Sequence, residues 1–241
     1  MVASTFVLVP GGAHGGWCYQ RVARRLQASG HLVHAVTLTG VGERAHLVNP
    51  QVDLNTHIQD VVNVLVYEDL HDVVLVGHSY GGMVITGVAD RVPDRIGKIV
   101  YLDAANPVDG QSLVDVSPDV AKARELASTV NDTEVVLAPF PGLTEFLYGV
   151  SDPDDVAWMD ARLTGHPWKC FDTKLELHDP ARLAAIPQFH IVCSSTVATR
   201  DPELIGAAKA TGRFWEIDTG HDLMITESAW VADTLEQVAR A

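Results

Sequence analysis

The chain has 241 residues, 47% of them hydrophobic, and a formal net charge of −14. That length and apolar content suit one sizeable domain, and the acidic balance argues against nucleic acid or an anionic membrane surface as a partner. No stretch approaches the ~20 apolar residues of a membrane span, and Met1 leads almost directly into a strand-like run with no basic leader start. The cysteines, Cys18, Cys170 and Cys193, are odd in number with no C-x-x-C spacing. A reducing cytoplasm is therefore the expected setting, with neither a disulfide framework nor a metal site.

Short apolar runs alternate with amphipathic stretches. Thr5–Val9 reads as a first strand, and residues 15–29 as a helix with Trp17, Val22 and Leu26 inward, stopped by Gly30. Residues 32–37 form a second predicted strand, and 55–67 a helix carrying Ile58, Val61, Val62 and Leu65 at helical spacing. Residues 73–76 are a third strand and 80–91 the helix after it. Residues 98–102, 189–193 and Phe214–Ile217 complete six strands, and Ser228–Arg240 is a closing helix. This alternation predicts an α/β fold with a mostly parallel sheet covered on both faces, and ligands bind such sheets beyond the carboxyl ends of the strands. Residues 107–185 break the pattern with seven prolines and several aromatic residues. They read as a helical cap inserted into a core made of 1–106 and 186–241.

The sharpest signal is Gly77-His78-Ser79-Tyr80-Gly81, a G-x-S-x-G between an apolar run and a helix-like stretch. With Gly and Ser at ordinary frequencies the pentapeptide arises by chance in roughly one such chain in ten to twenty, so its setting decides. Strand, sharp turn and helix are what a nucleophile elbow requires: the serine stands on a strained turn, and small flanking residues let strand and helix approach.

A serine hydroxyl needs a base. His221 follows the last strand and precedes the last helix, at the same sheet edge as Ser79. His31, His34, His46, His57, His71, His166, His178 and His190 are assigned surface or structural roles. The orienting acid lies between serine and histidine in chain order. Asp103, directly after the fourth strand, is preferred. Asp201 is the alternative, although Asp201-Pro202-Glu203 also reads as a helix start with aspartate as N-cap. An oxyanion hole needs two backbone N–H groups. Tyr80, after the nucleophile, supplies one, and the loop Pro10-Gly11-Gly12-Ala13-His14-Gly15-Gly16-Trp17 the other. That loop fits neither phosphate-binding glycine pattern.

With these residues assembled, the chain resembles the α/β-hydrolase superfamily, in particular the branch of plant hydroxynitrile lyases, plant methyl esterases and their bacterial esterase relatives. The segment from Pro10 to Tyr19 is similar to that branch's first loop, and Gly12 falls on its oxyanion residue. Two positions depart from the branch. Its acid usually follows the strand matching residues 189–193, where this chain has Thr196; Tyr101-Leu102-Asp103-Ala104 instead resembles the acid site of some haloalkane dehalogenases. Its lyases carry a lysine after the histidine, where this chain has Asp222.

The resemblance implies a serine hydrolase cleaving a small carboxylic ester through an acyl-enzyme, with Ser79, His221 and Asp103 as the triad and Gly12 and Tyr80 as the oxyanion hole. His14, Trp158, Trp168 and Phe146 are the expected substrate contacts. No metal or organic cofactor is expected. A small-molecule ester and a second copy of the chain are the expected partners. A lyase, cyclase or isomerase on the same scaffold, or a ligand-binding receptor, is the alternative.

Overall fold

A computed structural model describes residues 3–241. Six strands form the main sheet: β1 (Thr5–Val9), β2 (Leu32–Ala35), β3 (Val73–His78), β4 (Ile96–Leu102), β8 (Gln188–Cys193) and β9 (Phe214–Ile217). Their order across it is β2-β1-β3-β4-β8-β9. Every neighbouring pair is parallel. Parallel neighbours need crossover connections, and helices supply most of them. Helix α1 is Gln20–Ala28, α2 is Leu54–Tyr67 and α3 is Gly81–Arg91.

Alternation along the strands builds two cores. In β1 and β3, Val7, Val9, Val73 and Leu75 join Ile58, Val61, Met83 and Val84 of α2 and α3 on one face. Phe6, Leu8, Val74 and Val76 join Val22 and Leu26 of α1, and Leu235 and Val238 of Ser228–Arg240, on the other. Each fully buried aliphatic side chain contributes about 1.5–3 kcal/mol. The period of two along a strand therefore decides which face each helix covers.

Local chemistry sets the helix ends. Asp53 caps α2 with a reciprocal box, accepting from the Thr56 N–H at 3.0 Å. The first predicted helix splits into a 3-10 turn, Gly16–Tyr19, followed by α1, and Gly30 leaves it at φ +90°. The second strand is shorter than predicted. It ends at Ala35, and Thr37 Oγ1 accepts the Gly16 N–H at 2.7 Å, drawing that segment toward the glycine loop.

Between β4 and β8 the strand–helix alternation ends. The inserted segment holds short helices such as Pro153–Asp160 and Pro180–Ala185. It also holds an antiparallel sheet that helical periodicity did not suggest: β5 (Ser128–Val130), β6 (Thr133–Val136) and β7 (His166–Pro167), in that order. These strands are two to four residues long, too short to show a period of two. Among the described residues no helix is long and apolar enough to cross a membrane.

Candidate active site

Ser79 stands between β3 and α3 at φ +51°, in the left-handed region that β-carbon-bearing residues rarely occupy. Three glycines permit the turn. A β-carbon on Gly77 would lie 2.6 Å from the Gly81 carbonyl oxygen, one on Gly81 2.8 Å from the Pro10 oxygen, and one on Gly82 1.9 Å from the Ala105 oxygen. The Ser79 carbonyl accepts the Gly82 N–H at 3.1 Å and the Ala105 N–H at 3.0 Å, which fixes the strained residue from both sides. Gly11 lies against it: a β-carbon there would sit 2.9 Å from the Ser79 Cβ.

Asp103 follows β4 and is also left-handed, at φ +44°. Its carboxylate is buried and fully engaged. Oδ2 accepts from His221 Nδ1 at 2.5 Å. Oδ1 accepts from Thr196 Oγ1 at 2.5 Å, Arg200 Nη2 at 2.7 Å and the Cys193 N–H at 3.3 Å. Burial alone would raise the Asp103 pKa. The hydrogen bond and charge of His221, then the Arg200 guanidinium and the Thr196 hydroxyl, outweigh it and hold the carboxyl well below its usual range. The alternative acid, Asp201, is exposed and caps the helix Pro202–Ala210, accepting the Glu203 N–H at 2.9 Å. The structure thus joins His221 to Asp103 and gives Asp201 a capping role. Thr196, the position at which the resemblance led to an acid being expected, instead donates its hydroxyl to the Asp103 carboxylate.

The glycine loop is packed from above and pinned from below. A β-carbon on Gly12 would lie 2.9 Å from Phe171 Cζ and 3.1 Å from Leu137 Cδ1. Tyr80 is the N-cap of α3, at the end of a helix where backbone N–H groups lack intrahelical acceptors. Its hydroxyl meets His57 Nδ1 at 2.9 Å, and His57 Nε2 meets the Thr39 carbonyl at 2.8 Å. A carbonyl only accepts, so His57 donates from Nε2, and its Nδ1 accepts a hydrogen bond from the Tyr80 hydroxyl. Burial lowers the His57 pKa and keeps the ring neutral.

His78, beside the serine, is buried, and its Nε2 donates to the His221 carbonyl at 3.0 Å. Burial, followed by the charge of His221, pushes its pKa down to about 3, so it stays neutral.

The four expected substrate contacts have other partners. His14 is fully buried, with Nδ1 2.7 Å from the Gly12 carbonyl and Nε2 2.9 Å from Asp222 Oδ2. Trp158 lies edge-on to Trp17, with the Arg21 and Arg162 guanidiniums 5.5 and 5.0 Å from its ring centroid. Trp168 is buried in the core on the α2–α3 face, with Arg124 over its ring. Phe146 is 88% exposed. The side chains that lie against Gly12 are Phe171 and Leu137, which sequence reasoning passed over because neither lies in a motif. His57 and His166, expected to be structural, hold the groups around the loop. The absence of a carboxylate at Thr196 was the one available pointer to Asp103's neighbours.

His57, His166 and Cys170 bring ligand atoms within 4.8 Å of one another. Their hydrogen bonds do not suit a metal. His57 Nε2 carries a proton toward Thr39, and His166 Nδ1 accepts the Ala13 N–H at 3.1 Å, so its proton sits on Nε2. Burial pushes the Cys170 thiol well above its usual pKa, whereas a metal needs the thiolate.

Residues 6–234 match the alpha/beta hydrolase family. A carbendazim hydrolyzing esterase of Nocardioides sp. (strain SG-4G) is 56% identical over 115 residues, 48% of this chain and 48% of its own. Methylesterase 7 of Arabidopsis thaliana is 27% identical over 205 residues, covering 80% of this chain and 78% of its own. The chain spans about half the length of several curated relatives, from 44% to 50%. Among solved structures, an extracellular alpha/beta-hydrolase from a Paenibacillus species superposes with a TM-score of 0.81 at 25% identity, covering 99% of this chain and 100% of that one. It is described as sharing structural and functional homology with Tobacco Salicylic Acid Binding Protein 2. A parallel sheet in hydrolase order, a serine on a strained strand–helix turn and a family match over nearly the whole length lead to one conclusion: the chain belongs to the alpha/beta hydrolase family.

Proposed function

We propose that the chain is a serine esterase acting on small carboxylic esters. The observation that carries this reading is the 2.5 Å bond between His221 Nδ1 and the buried Asp103 carboxylate, on the loops that follow β9 and β4, at the same strand ends as the Ser79 elbow after β3. An aspartate on Nδ1 sets the tautomer that leaves Nε2 to take the serine proton. Ser79 Oγ attacks the ester carbonyl as His221 Nε2 accepts its proton. The Gly12 and Tyr80 amides stabilise the oxyanion. The intermediate collapses, His221 protonates the departing alcohol, and an acyl-serine remains. Water then gives up a proton to His221 and attacks, releasing the acid and regenerating Ser79.

Phe171 and Leu137 over Gly12 support an apolar or aromatic ester. Carbendazim, named in the 56%-identical relative, and methyl esters, named in several others, are the first compounds to assay. A cyanide-handling lyase finds no support, because Asp222 follows His221 and its charge is paired with His14. Three free, buried thiols support a reducing, cytoplasmic setting.

Ser79→Ala is expected to abolish p-nitrophenyl acetate hydrolysis and fluorophosphonate labelling while the melting temperature holds. Undiminished turnover in that variant overturns the reading.

A further inference from the structure

One peptide unit, between Gly12 and Ala13, is gripped at both edges by buried imidazoles. His14 Nδ1 donates to its carbonyl at 2.7 Å, and its N–H donates to His166 Nδ1 at 3.1 Å. Ala13 adopts φ +67°, a conformation an alanine does not choose unaided. Gly12 has no side chain to fix its own conformation, so the two rings take that role.

His14 extends the grip to the other side of the site. Its Nε2 meets Asp222 Oδ2 at 2.9 Å, and Asp222 directly follows His221 in the chain. A carbonyl on one nitrogen and a carboxylate on the other are both acceptors, so both ring nitrogens carry hydrogen and the pair is an imidazolium with a carboxylate. Burial alone would push both groups toward neutrality, but each partner's charge and their hydrogen bond outweigh it, raising His14 and lowering Asp222. Asp222 is held in turn by its N–H to the Tyr148 carbonyl at 3.0 Å. The His221 carbonyl accepts from His78, the residue before Ser79, at 3.0 Å. His14, His78, His166 and Asp222 are all fully buried.

We propose that His14 and Asp222 are positioning residues: a buried pair that, with His166, fixes the peptide after Gly12 and locks the oxyanion loop to the loop carrying His221. The proposal rests on the esterase reading of Gly12, Ser79 and His221. A stability role alone is a weak explanation, because replacing a buried ion pair by hydrocarbon of similar volume is often neutral or stabilising. What hydrocarbon cannot do is hold the Gly12 carbonyl.

The test follows from that difference. The double variant His14→Leu/Asp222→Leu leaves no unpaired buried charge and is expected to keep its melting temperature. Its kcat for p-nitrophenyl acetate is expected to fall about 10–100-fold with KM little changed, the signature of a lost transition-state contact. His14→Asn keeps an N–H at the position of Nδ1 and is expected to recover kcat to within about fivefold of the parent. A folded double variant with the parent's kcat overturns the proposal. So does a His14→Asn variant that folds and is as slow as His14→Ala, which serves as the reference if the double variant fails to fold. Fluorophosphonate labelling of Ser79 in the parent separates these outcomes from failure of the esterase reading: without it that reading falls first, and with it only the positioning proposal is at stake.

Discussion

Asp103 illustrates how much one side chain depends on its surroundings. It is an acid on a left-handed residue at a strand end, and four groups converge on two oxygens: His221 on one, and Thr196, Arg200 and the Cys193 amide on the other. Three partners on Oδ1 leave Oδ2 to face His221, which fixes the imidazole's rotation as well as its charge. Asp103→Asn is expected to lower kcat about 10⁴-fold, because an amide nitrogen facing Nδ1 selects the wrong tautomer. Asp201→Asn is expected to leave both rate and melting temperature nearly unchanged, since asparagine caps a helix as well as aspartate. Steady-state kinetics on the two variants decide the matter, and a rate collapse in Asp201→Asn alone would reverse the assignment.

The strand–turn–helix from β3 to α3 shows what a sequence makes legible at the scale of an element. Two glycines in the pentapeptide and a third after it announce close packing, and a β-carbon on any of the three would meet a backbone oxygen within 2.8 Å. Gly82→Ala places its methyl 1.9 Å from the Ala105 oxygen, and the helix must shift to accept it. The expected cost is several kcal/mol, well above the ordinary range for one substitution. Gly206, in the exposed helix Pro202–Ala210, would leave an added β-carbon with nothing within 4 Å. Gly206→Ala is expected to stabilise by about 0.5–1 kcal/mol, as helix propensity and unfolded-chain entropy both favour alanine. Thermal or urea unfolding of the pair checks both signs. The four central strands of the main sheet, β1, β3, β4 and β8, were readable as apolar runs because they are largely buried, whereas the half-exposed edge strands β2 and β9 showed in the β-branched and aromatic residues of Leu32–Ala35 and Phe214–Ile217. The positions proposed for catalysis, Ser79, His221 and Asp103, could be picked out because each follows a strand closely. The contacts of His14, Trp158 and Trp168 were not, since a ring's partners lie up to 208 residues away in the chain and carry no local pattern.

At the scale of the whole molecule, the insertion is not a lid resting on a finished core. Val136, Trp168, Cys170 and Phe171 belong to the cluster under α2 and α3, while Leu143, Tyr148, Val150, Met159 and Leu163 belong to the opposite one. Leu137 packs against both. The segment therefore straddles the carboxyl edge of the sheet and completes hydrophobic surface on each side. A single cooperative unfolding transition is expected, with core and insertion fluorescence changing together, and replacing residues 107–185 by a short linker is expected to give no folded product. Two separated transitions in calorimetry, or a folded deletion variant, would count against this.

The convergence of Asp103 and Thr196 bears on how such sites change over evolutionary time. Their side-chain oxygens are 2.5 Å apart although they stand on different strand ends, 93 residues from each other. A carboxylate at this one location could therefore be supplied from either of two points in the chain. A lineage can place a second carboxylate at residue 196 while Arg200 balances the added negative charge, and afterwards lose the first. The histidine need not move at any stage, so the ancestry of the acid is free to differ from the ancestry of the site it serves.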